Sequence, residues 1–502
     1  MTFTLDQLVG IEEEKPFELP EGWEWVRISE IGHDWGQKTP DKDFTYIDVG
    51  SINKEYGIIE ELSILSAKDA PSRARKIVQQ GTIIYSTVRP YLLNIAIIEN
   101  EILPEPIAST AFAIIHPYTA MDANFIYYYL RSPVFVCYVE NCQTGVAYPA
   151  INDKQFFSGI TPVPPSLEQV RIANKIKELM SLCDQLEQQS LTSLDAHQQL
   201  VETLLGTLTD SQTAEELAEN WARISEYFDT LFTTEASVDA LKQTILQLAV
   251  MGKLVPQDPN DEPASELLKR IAQEKAQLVK EGKIKKQKPL PPISDEEKPF
   301  ELPEGWEWCL FEDIIDIQSG ITKGRNLSNR TLVKVPYLRV ANVQRGYLDL
   351  TEIKQIEIPI EEKEKYQVVK GDLLITEGGD WDTVGRTTVW CHDWYIANQN
   401  HVFKGRNIGQ DVDPYWLETY MNSPFSRQYF ANASKQTTNL ASINKTQLRG
   451  CPVAIPPSSE AKKIMSKLHI FYKLCEELKN HIQSAQQTQL HLADALTDAA
   501  VN

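Results

Sequence analysis

Apolar side chains recur with two different periods along this chain, and the change of period marks its long helices. After Pro164-Pro165-Ser166 they recur at alternating four- and three-residue intervals from Ile172 to Leu186. The same spacing follows Pro456-Pro457-Ser458 and runs from Ile464 to Ile482. Such a heptad seam is typical of a helix that packs in a two-helix coiled coil. The pattern predicts one helix over about 166–205 and a second helix after residue 458.

Three further stretches between these helices also carry apolar residues at helical spacing. They are Ala214–Phe232, Ser237–Gly252 and Ser265–Glu281. Residues 282–292 are basic and rich in proline, which indicates a linker. We therefore predict a central helical region over residues 166–297.

The remaining two segments show mainly strand patterns with short helices. Gly81–Tyr85 and Gly371–Ile375 each combine a turn residue with an apolar run, which predicts a turn leading into a buried strand. Phe125–Leu130 and Tyr415–Tyr420 suggest one helix in each segment. The predicted fold class is α+β, with two mixed α/β globules joined by long helices.

Repeated motifs frame both globules. Glu13–Trp25 recurs without a change at Glu296–Trp308, and Pro164–Glu168 recurs as Pro456–Glu460 with one change. Between these frames, over about 26–150 and 309–442, the two copies cannot be aligned. This layout is expected of one scaffold that presents two different recognition surfaces. The alternative is a duplication that drifted without consequence, but such drift should also have eroded the frames.

Composition narrows the class of protein. The net charge of −21 disfavours a simple nucleic-acid binder, which is usually basic, although the acidic excess lies mainly in residues 1–25 and 166–297. Apolar runs are too short for a membrane span, and the N-terminus lacks the basic and apolar regions of a secretory signal. We expect a cytoplasmic protein.

The sequence offers no catalytic or metal-binding constellation. It has no phosphate-binding G-x-x-x-x-G-K-[ST] loop, and Asp413-Pro414-Tyr415-Trp416 resembles a methyltransferase motif without its second proline or a companion cofactor loop. The histidines show no metal spacing, and we interpret His116 and His401 as structural residues. Cys183 and Cys475 occupy equivalent seam positions, which predicts that both are buried. We therefore expect a protein that is not an enzyme.

Basic residues are concentrated in one place in each globule. Residues 317–348 contain no acidic residue, and a weaker counterpart lies in the first globule. Arginine can fork to phosphates or to guanine edges, so these stretches indicate surfaces that face a polyanion; solvated loops and edge strands are the alternative. The candidate DNA-binding residues are Lys38, Arg73, Arg75, Lys76, Arg89, Lys323, Arg325, Arg330, Arg339, Arg345, Arg386 and Lys435.

The frames and the segment Leu241–Ile271 resemble the DNA-specificity subunit of Type I restriction–modification enzymes. The resemblance covers nearly the whole chain. It implies a first target-recognition domain with a docking tail at 1–165, a central helical region at 166–297, a second target-recognition domain at 298–457 and a C-terminal spacer helix at 458–502. It also implies that the long helices pair as an antiparallel coiled coil with a pseudo-two-fold, and that each domain reads one half of a bipartite, asymmetric double-stranded DNA site.

The partners that the resemblance implies are two modification (methyltransferase) subunits and the restriction/translocase subunits. This chain would hold no cofactor; S-adenosylmethionine would belong to the modification subunit, and ATP and Mg to the restriction subunit. Two alternatives stay open. One is an enzyme whose site goes unrecognised, and the other is an acidic scaffold or DNA mimic that binds restriction–modification subunits instead of DNA.

Overall fold

The computed structural model describes residues 15–145, 148–380, 383–437 and 440–501, with the side chains of 435–437, 440 and 501 left out. The chain divides into two compact units. Unit 1 covers Met1–Leu191 and unit 2 covers Thr192–Asn502.

The described part of unit 1 is built from short strands. These are β1 (Glu24–Arg27), β2 (Gly32–His33), β3 (Phe44–Ile47), β4 (Ile52–Asn53), β5 (Ile58–Ile59), β6 (Ser63–Leu65), β7 (Ala74–Ile77), β8 (Ile83–Ser86), β9 (Ile95–Ile97), β10 (Pro106–Ser109), β11 (Phe112–Pro117) and β12 (Ile160–Val163). They form two four-stranded sheets, β6-β3-β10-β7 and β2-β11-β8-β9, and two pairs, β4-β5 and β1-β12. As predicted, a turn at Gly81, which has a positive φ, leads into the fully buried strand β8.

Helices cover the sheets of unit 1 and lead out of it. They are α1 (Ile28–Ile31), α2 (Ala123–Leu130), α3 (Pro133–Cys142), α4 (Asp153–Ser158) and α5 (Ser166–Asp210), with 3-10 turns at Val49–Ser51, Ala67–Asp69 and Pro90–Leu92. Asp122 caps α2 by accepting from the Phe125 N–H, and Asn152 forms a capping box with Gln155 at α4. Helix α5 has 45 residues and contributes to both units.

The described part of unit 2 repeats this architecture. Its strands are β13 (Glu307–Leu310), β14 (Ile315–Gln318), β15 (Leu332–Leu338), β16 (Lys354–Pro359), β17 (Leu373–Thr376), β18 (Gly378–Gly379), β19 (Thr387–Val389), β20 (Ala397–Asn398), β21 (Val402–Asn407), β22 (Lys435–Thr437), β23 (Leu440–Ser442) and β24 (Pro452–Ile455). The order β14-β21-β17-β19 repeats β2-β11-β8-β9, and β16-β15-β20 repeats the parallel pairing of β3 with β10. The interiors that differ in sequence therefore share the order of one four-stranded sheet and one parallel strand pairing, while the sheet β18-β23-β22 is formed in unit 2.

Helices make up much of unit 2. They are α6 (Ala214–Glu226), α7 (Phe228–Leu231), α8 (Glu235–Val250), α9 (Ala264–Lys280), α10 (Phe311–Ile314), α11 (Lys363–Tyr366), α12 (Pro414–Met421), α13 (Pro424–Ala433), α14 (Lys445–Arg449) and α15 (Ser458–Val501), with 3-10 turns at Asp295–Glu297, Val340–Asn342 and Ile360–Glu362. The predicted helices after residues 166 and 458, and those in the central region and in each globule, are thus confirmed.

A two-stranded antiparallel sheet forms next to the repeated frames in each globule. In unit 1 the end of the first frame pairs, through β1, with β12, the strand that directly precedes the second frame, and Trp25 lies opposite Pro162. In unit 2 the same antiparallel pair forms between β13 and β24, with Trp308 opposite Ala454. This pairing explains why the borders repeat while the interiors differ, since the borders make the same structure twice.

Helix α15 packs against α8 within unit 2, and the two run antiparallel. Lys479 bonds to Asp239 near the start of α8, and Lys242, further along α8, bonds to Glu476, which is earlier in α15. This packing covers the α15 seam, so Cys475 is buried as predicted. The prediction for Cys183 is wrong: its thiol is exposed on α5, because heptad spacing defines an apolar face without supplying the element that covers it.

Candidate nucleic-acid interface

An exposed arginine lies at one end of the unit 1 sheet that contains β8. Arg89 has a left-handed backbone conformation with φ 48°, and its N–H donates to Pro149 O at 2.7 Å. Its guanidinium lies 5.0 Å from the ring centroid of Tyr148, whose side chain is 72% exposed. A strained non-glycine backbone persists only where its surroundings enforce it. The structure thus holds Arg89 in place above an exposed aromatic ring.

Arg73 lies at the same end of unit 1. Its carbonyl accepts from the Thr110 N–H, and the neighbouring Ala111 carbonyl accepts from Thr87, two residues before Arg89. Arg73 is exposed, whereas Arg75 is half-buried and donates to the Ala74 carbonyl. Both arginines therefore border the surface that carries Arg89.

Lys38 and Lys76 are held by carboxylates instead. Lys38 lies 2.7 Å from Glu105 and 3.1 Å from Asp41, and hydrogen bonds to these groups raise its pKa. Lys76 is buried and its ammonium lies 2.7 Å from Asp153. A buried, paired ammonium cannot reach a polyanion, so we remove Lys76 from the candidate set.

In unit 2 the acid-free stretch does not form an acid-free surface. Strand β15 pairs antiparallel with β16, and this hairpin brings the acidic residues after position 348 back onto the arginines. The ion pairs, with N–O distances of 2.8, 3.0 and 2.7 Å, are Arg325–Glu362, Arg330–Glu361 and Arg339–Glu352. The hydrogen bond from Arg325 lowers the pKa of the Glu362 carboxyl. The three carboxylates therefore neutralise the charge of these arginines, although the arginine N–H groups remain hydrogen-bond donors.

The other basic residues of unit 2 have different neighbours. Lys323 is exposed, and its ammonium lies 5.1 Å from the ring centroid of Tyr337. Arg386 donates to Gln344 and to the Thr383 carbonyl, and Arg345 follows Gln344 in the same turn. The side chain of Lys435 lies outside the described residues.

Each unit contains one of two equivalent sheets, β2-β11-β8-β9 or β14-β21-β17-β19. We call the equivalent end of each sheet, where β8 or β17 ends, its strand-end surface. In unit 1, Thr87 N donates to Ala111 O while Thr87 O accepts from Ile151. In unit 2, Glu377 N donates to His401 O while Glu377 O accepts from Ile443. The strand-end surface of unit 1 comprises Arg73, Thr87, Arg89, Ala111 and Tyr148. That of unit 2 comprises Ile321, Lys323, Glu377, Gly378, Gly379, His401 and Arg386, whose carbonyl accepts from Thr376 N beside Glu377, together with Arg345 next to Gln344.

The two histidines that we interpreted as structural lie in different surroundings. His116 bonds to Thr82 Oγ1 and stacks on His33, and burial lowers its pKa. His401 instead lies on the strand-end surface with more than half of its side chain exposed. Nothing in its sequence neighbourhood marked it, because its partner Glu377 is 24 positions away.

Among the described residues there is no group of three or more His, Cys, Asp or Glu side chains arranged to hold a metal ion. None of the described helices is long and apolar enough to cross a membrane.

Comparison with known proteins decides the family. The family model described as the Type I restriction modification DNA specificity domain matches residues 20–196 and again 303–485. The chain belongs to this family. It is 44% identical to the specificity subunit of the Type I restriction enzyme EcoEI of Escherichia coli, over 98% of this chain and 84% of that subunit. It is 45% identical, with the same coverage, to the EcoAI specificity subunit of the same species.

A solved structure that concerns complex assembly and conformational transition of the type I R-M system shares the fold. It covers 96% of this chain and 98% of its own, with a TM-score of 0.57 and 21% identity. The predicted family, the predicted fold class and the prediction of a DNA specificity subunit of a Type I restriction–modification system are confirmed. A specificity subunit is a non-catalytic component of such a system, so the alternative of an unrecognised enzyme is removed.

The two family matches begin in the repeated frames and end in the long helices. Each match begins within a frame that contributes β1 or β13, and each ends inside α5 or α15. The specificity subunit therefore contains two copies of one domain, and the side chains of the strand-end surface are among those that differ between the copies.

Proposed function

We propose that each domain of this specificity subunit reads one half of a bipartite, asymmetric double-stranded DNA site through its strand-end surface. One observation carries the proposal: the same backbone hydrogen bonds hold different side chains at this end in the two units. Arg89 stands above Tyr148 in unit 1, whereas the corresponding position of unit 2 carries glycine at β18. Two scaffolds with different contact groups fit two different half-sites.

Arg89 has the properties of a base-reading arginine. Tyr148 supports one face of its guanidinium, which leaves its edge to fork toward guanine O6 and N7 in the major groove. Arg73, at the same end, fits a phosphate-contacting role because it is exposed and flanked by a backbone hydrogen bond. Lys38 and Arg75 border these two residues.

In unit 2 the proposal assigns DNA contacts to Lys323, Arg345 and Arg386. Arg325, Arg330 and Arg339 lie in ion pairs and would reach DNA only by exchanging a carboxylate for a phosphate. Because so much positive charge is neutralised within the subunit, we propose that the modification subunits supply most of the phosphate contacts. Two modification subunits and the restriction/translocase subunits would then act at the positions that this chain selects. S-adenosylmethionine would be bound by the modification subunit, and ATP and Mg by the restriction subunit.

The test is to map methylated positions genome-wide in a host that expresses the complete system, with native chain and with variants. We expect a bipartite sequence for the native chain. Arg89→Ala should relax one half-site, and Arg386→Ala should relax the other half-site. A single contiguous site, or variants that each weaken both halves equally, would contradict the proposal. Charge reversal of Arg89 and Arg386 without any change in specificity would favour the acidic-scaffold alternative.

A further inference from the structure

A histidine and a carboxylate face each other on the strand-end surface of unit 2. His401 Nδ1 lies 2.6 Å from Glu377 Oε2. The His401 side chain is 55% exposed and the Glu377 side chain 30% exposed. A histidine–carboxylate contact at an exposed site adds little to the stability of the fold, so stability does not explain why the contact is present.

The backbone holds both residues firmly. Glu377 N donates to His401 O at 2.9 Å, and the Glu377 carbonyl accepts from Ile443 N at 2.9 Å. Next to His401, Asn400 N donates to the Ile321 carbonyl at 3.0 Å. The main chain of both residues is therefore fixed where three segments meet, and the contact with Glu377 orients the His401 ring.

The contact of Nδ1 with the carboxylate determines what the ring can offer to a ligand. A carboxylate that accepts from Nδ1–H leaves Nε2 as the ring nitrogen that can bond to a ligand. Neutral Nε2 accepts a hydrogen bond, as from an exocyclic amino group of adenine or cytosine, and protonated Nε2 donates one, as to guanine N7 or O6. This is base-edge chemistry, and phosphate contact does not require such an orienting partner.

The corresponding positions of unit 1 lack this chemistry. The residue that matches His401 through the backbone hydrogen bonds is Ala111, and the residue that matches Glu377 is Thr87. The Thr87 hydroxyl donates a hydrogen bond to the Ala111 carbonyl at 2.8 Å. The histidine–carboxylate pair thus belongs to one domain only, as expected of a group that distinguishes one half-site from the other.

We infer that His401 contacts a base edge in the half-site read by the second domain, and that Glu377 is the residue that positions it. This inference rests on the proposed function, since it requires that the strand-end surface faces DNA. It adds a specificity-determining residue that the charge pattern of the sequence does not reveal.

The experiment uses the full chain in complex with its modification partner. Discrimination is measured by methylation of the native site and of duplexes with every single base-pair substitution, for native chain, His401→Ala, His401→Gln and Glu377→Gln. His392→Ala is the matched control, because His392 belongs to the same domain and packs beside Trp390 and Trp394.

We expect His401→Ala to lose about tenfold or more of the discrimination at one base pair of one half-site, with the other half-site unchanged. His401→Gln should recover part of that discrimination, because its amide also offers a donor and an acceptor. Glu377→Gln should lower discrimination at the same base pair, while His392→Ala should change none.

Two outcomes would overturn the inference and can be told apart. If His401→Ala and His401→Gln both keep native discrimination while Arg89→Ala and Arg386→Ala alter it, His401 does not read DNA and the proposed function stands. If none of these variants alters discrimination, the strand-end surface does not face DNA and both fail.

Discussion

Trp306 donates its indole N–H to a carboxylate oxygen of Glu460 at 3.1 Å, in the buried interior of unit 2. The second carboxylate oxygen accepts from the Gln257 amide at 3.1 Å. Trp306 belongs to the first repeated frame and Glu460 to the second, while Gln257 follows α8. The carboxylate therefore ties the central region to both frames of its domain.

The first prediction concerns the pH dependence of this link. Burial raises the pKa of Glu460 above its ordinary value of 4.5. Between that value and the raised one, the folded state binds more protons than the unfolded chain, so stability must fall as pH rises through this window. Glu460→Gln removes the titration and keeps a carbonyl oxygen that can accept from the Trp306 N–H. The Gln257 amide keeps its hydrogen bond to the Gly252 carbonyl. We expect a flatter profile of unfolding midpoint against pH for Glu460→Gln; a profile identical to that of the native chain would contradict it.

The second prediction concerns a buried ion pair of unit 2. Arg449 Nε lies 2.6 Å from Glu312 Oε2, and the same guanidinium donates to the Lys288 carbonyl in the basic linker. Arg449→Met leaves a buried carboxylate without its partner, which should cost about 3–5 kcal/mol of unfolding free energy. The measurement is denaturant unfolding of the full chain.

A double variant separates pairing from packing in this site. Glu312→Leu combined with Arg449→Met removes both charges, so it should lose less stability than Arg449→Met alone. Lys269→Ala is the control, because Lys269 and Glu266 form an exposed pair expected to contribute less than about 1 kcal/mol. Equal losses for the single and the double variant would show that the charge pairing is not the cause.

Helix positions could be predicted from the sequence because they depend on local spacing. The apolar positions after Ser166 and Ser458 recur every three or four residues, and the structure has helices from those residues onward. The strand pairing of the frames was not predictable in this way. Trp25 and Pro162 are far apart in the chain, and only the fold brings their strands together.

The candidate site shows the same division between local and non-local information. The basic residues of 317–348 were visible as a run, but Glu361 and Glu362 return to them through the β15–β16 hairpin. Lys76 is buried on β7 and pairs with Asp153, which is 77 positions away. A run of basic residues in a sequence indicates a candidate surface. It does not show which of these residues are neutralised by carboxylates that lie far away in the chain.

The third prediction uses the two seam cysteines. Cys183 is exposed on α5, while Cys475 is buried beside α8 and burial raises its pKa. Because the thiolate is the reactive form, alkylation of the folded chain should modify Cys183 far faster than Cys475. Peptide mass spectrometry over a time course measures both rates, and denaturant should make them similar. Protection of Cys183 equal to that of Cys475 in the isolated chain would contradict the exposed position of Cys183.

The fourth prediction concerns the paired arginines of unit 2. Glu362 holds Arg325 through two hydrogen bonds of 2.8 and 3.2 Å. Glu362→Gln removes the charge that neutralises Arg325 and keeps the side chain nearly the same size, so one more cation becomes available to phosphate. In complex with the modification subunit, DNA binding should strengthen, and the slope of log K against log salt should steepen by about 0.9. Glu304→Gln is the control, since Glu304 lies in the frame and makes the same change of net charge away from Arg325. Equal salt slopes for the two variants would show that Arg325 stays away from the DNA even when its carboxylate is removed.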